Sequence, residues 1–182
     1  MKDDLQAALL NFIAHPGELD PLADRVVRYQ MKAIPAYGRL VEARGGFKSW
    51  RHAPLVPTDL FRQLDLCTAP PSEEVAAEFL TSGTTTGTRG RRRVPDLTLY
   101  HAGMVAPFVD HVLKSDMTPR PWLALIPTRK EDPHSSLSHM VDGLATQLAS
   151  STTWAMSADG LDIAAATAFT RAVNEPVIIL TT

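Results

Sequence analysis

The feature that most constrains the fold is a change in the hydrophobic pattern near residue 75. Before this point apolar residues recur at helical spacing, and after it short apolar runs alternate with segments of helical periodicity. An order of strand, helix, strand, helix, strand, helix, strand is typical of a parallel sheet with right-handed crossovers. We therefore predict an α/β fold with a mostly parallel sheet flanked by helices and preceded by a helical segment.

The predicted elements after residue 75 are bounded by prolines, glycines and polar residues. Strands are expected over 75–82, 122–126, 152–156 and 176–180, with 91–94 as a returning strand, and helices over 97–114, 135–149 and 158–173. Pro107 lies inside the first of these helices and is expected to kink or split it. Residues 75–182 are thus predicted to form one α/β subdomain.

Residues 1–74 are predicted to be a helical and proline-rich segment. A first helix is expected over 3–14, and a second begins at Asp20-Pro21 and stops at Ile34-Pro35. A short helix over 36–44 ends before two glycines, and 47–74 is expected to be irregular because prolines interrupt it.

Composition limits the class of protein. The net charge of −2 gives no global bias toward nucleic acid or membrane, and we expect neither as a partner. One cysteine, Cys67, excludes an internal disulfide and a cysteine-rich metal site, so the expected location is cytoplasmic. No apolar run is long enough for a spanning helix.

The segment 81–90 carries most of the chemical information. It reads Thr-Ser-Gly-Thr-Thr-Thr-Gly-Thr-Arg-Gly, with six hydroxyls, three glycines and an arginine. Glycine lets the backbone approach a ligand closely, and backbone N–H groups, hydroxyls and a guanidinium can converge on an anion. We interpret the segment as a polyphosphate-binding loop, exposed and mobile without ligand, against the alternative of a polar turn between strands.

Other polar residues have simpler interpretations. Ser135 or Ser136 is expected to cap a helix, with His134 near a functional site as the alternative. We interpret His101, His111 and His139 as structural, and Cys67 as a residue without a nucleophilic role. The arginines at 91, 92 and 93 are expected to form a solvated strand edge, because no interleaved aromatic residues support a nucleic-acid surface.

The segment resembles the phosphate loop of adenylate-forming enzymes, usually written T-S-G-T-T-G-x-P-K-G. Residues 81–85 match in order, and an ungapped comparison puts Thr86 on the family's glycine, Arg89 on its lysine and Gly90 on its closing glycine. A gap of one residue puts Gly87 on the middle glycine instead. The proline of the family motif is absent and arginine replaces its lysine.

Further positions narrow the resemblance over about residues 30–182. Asp96 and Leu99, the run from Asp132 to Met140, the stretch Val56-Pro57 to Leu60-Phe61-Arg62, and the final apolar run are together similar to the acyl-protein synthetase (LuxE) family. Phenylacetate-CoA-ligase-like enzymes share a similar loop and are the nearest alternative.

The resemblance implies ATP-dependent activation of a carboxylic acid, fatty or aryl, through an acyl-adenylate, with transfer to a protein or carrier thiol. ATP and Mg²⁺ would be the cofactors, and an acyl-carrier or reductase protein would be the partner. The implied phosphate-binding residues are Thr81, Ser82, Gly83, Thr84, Thr85, Thr86, Gly87 and Arg89. A non-catalytic, partner-binding domain of the same fold is the alternative from a different class.

The resemblance also implies that the chain is the N-terminal portion of a longer enzyme. The family's adenine-binding motifs and catalytic lysine would then follow residue 182. In that case Val177, Ile178, Ile179 and Leu180 are expected to be partly exposed, and association of copies into a homo-oligomer stays open.

Overall fold

A computed structural model describes residues 2–81, 89–157 and 159–181. The chain divides into two compact units, Met1–Gly103 and Met104–Thr182. The first contains the N-terminal helices and a β-hairpin, and the second contains a parallel sheet with helices on both faces. The pattern-based division into 1–74 and 75–182 stays a prediction.

Three helices open the first unit as the apolar spacing predicts. They are α1 (Lys2–Ala14), α2 (Leu19–Ala33) and α3 (Pro35–Ala43). Ile34 separates α2 from α3 in an extended conformation, which is the conformation that the following proline imposes. Gly38 lies so close to α2 that a Cβ there would be 2.5 Å from the Met31 carbonyl oxygen, so only glycine allows this approach.

The proline-rich segment after α3 is irregular, as predicted, apart from short 3₁₀ turns at Trp50–His52 and Thr58–Arg62. Side chains of α2 fix the first turn. The Asp24 carboxylate accepts a hydrogen bond from the Trp50 backbone N–H at 2.7 Å, and Asp20 accepts one from the Trp50 indole N–H at 3.0 Å. These two bonds satisfy both N–H groups of Trp50 and join the turn to α2.

The hairpin consists of β1 (Ala77–Leu80) and β2 (Arg91–Val94), which pair antiparallel with Leu80 opposite Arg91. The predicted return of 91–94 along the first strand is confirmed. Alternation puts Phe79 on one face, where it is buried against Tyr100 with ring centroids 5.5 Å apart. Arg93 lies on the opposite face and is also buried. Both faces of the hairpin are therefore covered.

The predicted helix over 97–114 is split at Pro107. The α-helix α4 runs over Thr98–Pro107, and a π-helical turn, Phe108–Val112, follows it. Proline has no N–H to donate to the preceding turn, and the wider turn is closed by the bond from Leu113 N to Phe108 O at 3.0 Å.

The second unit is an α/β arrangement around β3 (Arg120–Leu125). Its parallel neighbours are β4 (Ala149–Trp154) and β7 (Ile178–Thr181). Two helices cover the sheet, α5 (Ser136–Leu148) and α6 (Ile163–Ala172). The predicted α/β class with a parallel sheet flanked by helices is confirmed for this unit.

Alternate residues of the central strand face different helices. Leu123 packs in a cluster with Phe169 of α6, and Ala124 packs in a cluster with Val141 of α5. Because successive strand residues point to opposite faces, α5 and α6 lie on opposite faces of the sheet. A strand covered on both sides requires the near-continuous apolar run seen at 122–126.

Two predictions for this part of the chain are wrong in detail. Strands β1 and β2 pair only with each other in the described residues and do not extend the parallel sheet. Residues 159–162 are not helical, because β5 (Met156–Ser157) and β6 (Gly160–Leu161) form a short antiparallel pair before α6. Gly160 has φ +114°, which a helix excludes, and Asp162 caps α6 instead.

The expected exposure of the last strand is observed. Val177, Ile178 and Leu180 are half-buried, and Ile179 is 53% exposed. In the described residues no helix is both long enough and apolar enough to cross a membrane.

Candidate functional site

The segment 81–90 joins the two strands of the hairpin, which is where the sequence places it. Of its predicted phosphate-binding residues, the structure describes Thr81 and Arg89, and both are exposed. The other predicted residues lie outside the described part of the chain: Ser82, Gly83, Thr84, Thr85, Thr86 and Gly87. The prediction that the loop is exposed and mobile concerns mainly residues outside the described part of the chain, so it stays a prediction.

The ends of the segment are joined by two hydrogen bonds. Thr81 N donates to Gly90 O at 2.9 Å, and Gly90 N donates to the Thr81 hydroxyl oxygen at 2.8 Å. Gly90 is buried, and a Cβ there would lie 3.2 Å from Thr81 Cγ2 and 3.4 Å from Arg62 Cγ. A side chain at position 90 would therefore press against the group that closes the loop. The glycine at the end of the motif has a steric reason in this fold.

The solvated edge that we predict from sequence for the three arginines of β2 holds for two of them and not for the third. Arg91 and Arg92 are exposed, and Arg91 lies 3.5 Å from the Glu78 carboxylate on β1. Arg93 is only 8% exposed, so the prediction is wrong for this residue. The cause is the 65–73 segment, which folds over the face of β2 that carries Arg93.

Arg93 holds that segment through charge-assisted hydrogen bonds. Its Nη1 donates to Asp65 Oδ2 at 2.8 Å and to Ala69 O at 3.5 Å, and its Nη2 donates to Pro70 O at 3.0 Å and Glu73 O at 2.7 Å. The hydrogen bond that Arg93 donates to the Asp65 carboxylate raises the pKa of Arg93. A guanidinium suits this position because its planar fork can serve several acceptors at once.

Cys67 lies in a cavity of about 320 Å³ beside β2. Its sulfur accepts a hydrogen bond from Ala69 N at 3.4 Å, and its own N–H donates to Asp65 Oδ1 at 3.2 Å. The residue thus belongs to the turn that Arg93 holds. The expectation that it lacks a nucleophilic role stays a prediction.

In the second unit Ser135 is the N-cap of α5. Its hydroxyl oxygen accepts a hydrogen bond from Ser138 N at 3.1 Å, which confirms one of the two predicted caps. His134 is exposed, and His139 is 2% exposed on the buried side of α5. His101 lies in α4, and His111 lies in the π-helical turn.

Two buried polar atoms of this unit have no hydrogen-bond partner in the described part of the chain. They are the indole Nε1 of Trp122 and the hydroxyl oxygen of Ser138. The sequence does not indicate that either atom would lack a partner. A serine near the start of a helix is usually interpreted as a cap, and Trp122 lies within an apolar run.

Sequence reasoning also missed the position of Arg62. Its Cγ would lie 3.4 Å from a Cβ at position 90, so its aliphatic stem lies beside the base of the loop, and its guanidinium lies 3.5 Å from the Asp59 carboxylate. The residue precedes the loop by about twenty positions. A contact of this range depends on how the proline-rich segment folds back, and no local pattern reports it.

No metal centre is evident: the described residues contain no cluster of three or more histidine, cysteine, aspartate or glutamate side chains that could hold an ion. Comparison of the chain with protein-family models, with curated proteins and with solved structures finds no match.

Proposed function

We propose that this chain takes part in the ATP-dependent activation of a carboxylic acid through an acyl-adenylate, with transfer of the acyl group to a protein or carrier thiol. The observation that carries the proposal is the position of the segment 81–90. A run of hydroxyls and glycines that resembles a phosphate loop connects two paired strands, and its ends are joined by the bonds between Thr81 and Gly90.

Anchored ends matter for an anion-binding loop. Donors that are fixed before reaction stabilise developing charge without the cost of reorganisation. The bonds between Thr81 and Gly90 hold the two ends of the segment together, and glycine in general permits close approach of a backbone to phosphate oxygens. In this proposal Thr84 and Thr85 donate to the phosphates.

The charges around the hairpin agree with the same assignment. Arg93 is buried and paired with Asp65, so it is committed within the protein, and Arg91 has the Glu78 carboxylate 3.5 Å away. Arg89 is exposed next to the closing glycine. It is the arginine that we assign to the phosphates, and its delocalised charge and fork of donors suit phosphate oxygens.

Magnesium would enter with the nucleotide. Mg²⁺ is commonly held by substrate phosphates, waters and one or two carboxylates, so a preformed cage of acidic side chains is not required. Its chemical contribution would be to neutralise charge on the phosphates. The residues of the loop would orient the phosphates beside it.

Binding of MgATP to the 182-residue chain is the first test. A ligand that binds only the folded state raises the thermal midpoint with concentration, and we expect MgATP to do so. The double variant Thr84→Ala/Thr85→Ala should lose the shift, whereas Thr170→Ala, on the exposed face of α6, should keep it. Failure of MgATP to shift the midpoint of the unaltered chain would favour the non-catalytic, partner-binding alternative.

Acid-dependent exchange of pyrophosphate into ATP is the second test, in a protein that contains this chain. Loss of one comparable oxyanion donor costs on the order of 10²–10³ in rate, so the double threonine variant should lose at least that much. Arg89→Ala should cost less, because Mg²⁺ also neutralises the phosphates. Unchanged exchange in the double variant would contradict the assignment of the loop. If exchange is observed and depends on the loop, identifying the acylated product with coenzyme A or a carrier protein as acceptor would distinguish an acid:CoA ligase from an acyl-protein synthetase.

A further inference from the structure

The carboxyl edge of the sheet in the second unit contains a crevice that follows from its topology. The neighbouring strands β3 and β4 are parallel, but β3 leads to α5 on one face and β4 leads to α6 on the other. The two connections therefore diverge where the strands end. In open α/β sheets, such divergence creates the crevice in which ligands bind.

A cavity of about 510 Å³ occupies this crevice. Thr128, Lys130 and Glu131 line it from the connection after β3, and Trp154, Met156 and Asp162 line it from the end of β4 and the start of α6. Its volume is within the range of small-molecule sites, roughly 300–1,000 Å³. An aromatic ring and a thioether thus share one cavity with charges of both signs.

The two carboxylates of the cavity are oriented by their neighbours. Glu131 Oε2 accepts hydrogen bonds from Thr128 N at 3.1 Å and Thr128 Oγ1 at 2.8 Å, and Asp162 Oδ1 accepts one from Ala165 N at 2.8 Å. Within the described part of the chain, these bonds use Glu131 Oε2 and Asp162 Oδ1 and do not involve the other carboxylate oxygens, Oε1 and Oδ2. The bonds from Thr128 lower the pKa of Glu131, so this group is ionised at neutral pH.

Lys130 adds a positive charge to the same cavity. It is exposed, and among the described residues its ammonium forms no ion pair. The lysine would repel a purely cationic ligand, and the two carboxylates would repel a purely anionic ligand. A ligand with both charges can satisfy both kinds of group, because each charge then faces its opposite.

We propose that this cavity binds a zwitterionic small molecule of the α-amino-acid class. Lys130 binds the carboxylate of the ligand, Asp162 and Glu131 bind its ammonium, and its apolar side chain contacts Trp154 and Met156. The inference goes beyond the proposed function and does not depend on it, since it uses residues of the second unit alone.

Three matched ligands test the charge requirement on the 182-residue chain by NMR titration. L-Phenylalanine carries both charges, 3-phenylpropionate lacks the ammonium, and phenethylamine lacks the carboxylate. We expect phenylalanine to bind, and each of the other two to bind about tenfold or more weakly, because a charged hydrogen bond is lost in each. Absence of binding by phenylalanine, or binding of either single-charge ligand as tight as that of phenylalanine, would overturn the proposal.

Two variants assign the charges to residues. Asp162→Asn retains an oxygen that can cap α6, and it should weaken phenylalanine and phenethylamine while leaving 3-phenylpropionate unchanged or tighter. Lys130→Gln should weaken phenylalanine and 3-phenylpropionate only. Arg129→Gln is the control, because Arg129 is an exposed neighbour that does not line the cavity.

Folding of each variant is verified by its thermal unfolding curve. Should Asp162→Asn not fold, Glu131→Gln replaces it, since the glutamine amide oxygen can still accept the bonds from Thr128. Ligand affinities that are the same in wild type, in the carboxylate variant and in Lys130→Gln would show that these charges do not bind the ligand and would also overturn the proposal.

Discussion

The hairpin of the first unit and the sheet of the second hold their strands in place by different kinds of interaction. On the hairpin, one face is covered through the polar contacts of Arg93, and the loop base is closed by the bonds between Thr81 and Gly90. In the sheet, the central strand is buried on both faces by apolar side chains of α5 and α6.

The two regions are therefore sensitive to different kinds of substitution. Hydrogen bonds are directional, so the hairpin fixes the ends of a polar segment at a defined geometry, but loss of a single atom leaves buried partners unsatisfied. Apolar packing is non-directional and scales with buried area, so the sheet depends on volume. Three experiments test this difference, and a fourth tests a charge outside both regions.

Truncating a core side chain of the sheet should lower the free energy of unfolding more than any of the other changes. Leu123 is 3% exposed, and Leu123→Ala removes buried methyl groups and leaves a cavity beside Phe169. We expect the free energy of unfolding to fall by about 2–5 kcal/mol, measured by urea denaturation. Leu161→Ala is the control, since Leu161 is 48% exposed, and it should change the value by less than about 0.5 kcal/mol. Equal losses would contradict the assignment of this core.

Removing the Arg93 guanidinium should have the next largest effect. Arg93→Met keeps the aliphatic volume but leaves Asp65 without its partner and three carbonyl oxygens without a donor. The urea midpoint should fall several times further than it does for Arg92→Met, because Arg92 is an exposed residue of the same strand. If both variants lose the same amount, the 65–73 segment is not held by this arginine.

Two glycine-to-alanine variants should change the free energy of unfolding in opposite directions. Gly90→Ala forces the Thr81 side chain to move and endangers its bond to Gly90 N, at a cost of about 1 kcal/mol. Gly103→Ala, in α4 with nothing within 4 Å of the added Cβ, should stabilise by up to about 1 kcal/mol through helix propensity. Chemical denaturation of both variants tests this. A neutral Gly90→Ala would show that the loop base tolerates a side chain.

The smallest effect concerns pH. Hydrogen bonds from Arg51 and then Trp50 lower the pKa of Asp20, so its ionised form favours the folded state. This contribution is complete above the unfolded pKa of about 3.9 and is lost as pH falls through the lower folded pKa. Asp20→Asn should therefore be less stable than wild type at pH 7, with a difference that shrinks below about pH 4. A difference independent of pH would rule out a role for the charge.

Local features were predictable where a short stretch carries its own constraint. The helix boundary at Ile34-Pro35 follows from proline sterics, and the Ser135 cap follows from a hydroxyl that precedes an apolar helical repeat. The split at Pro107 has the same origin. The start of α6 was predicted too early, because the alanine-rich pattern obscures Gly160, whose positive φ belongs to a turn.

Features that depend on distant partners were not predictable. The burial of Arg93 requires the 65–73 segment to fold across β2, and neither the arginine run nor the prolines indicate that approach. Among the described residues β1 and β2 pair only with each other, and the sequence does not predict this because strand propensity does not select a partner. The crevice beside Lys130 depends on which face each helix covers.

Periodicity, proline and glycine act over a few residues, so the order of elements, the α/β class and the hydroxyl-rich segment between two strands follow from the amino-acid sequence. Three features emerge only from the folded chain: which arginine is buried, why position 90 is glycine, and which charges lie together at the carboxyl edge of the sheet. The physical reason is that burial and close approach are set by segments remote in sequence, and their contacts leave no periodic pattern in the chain.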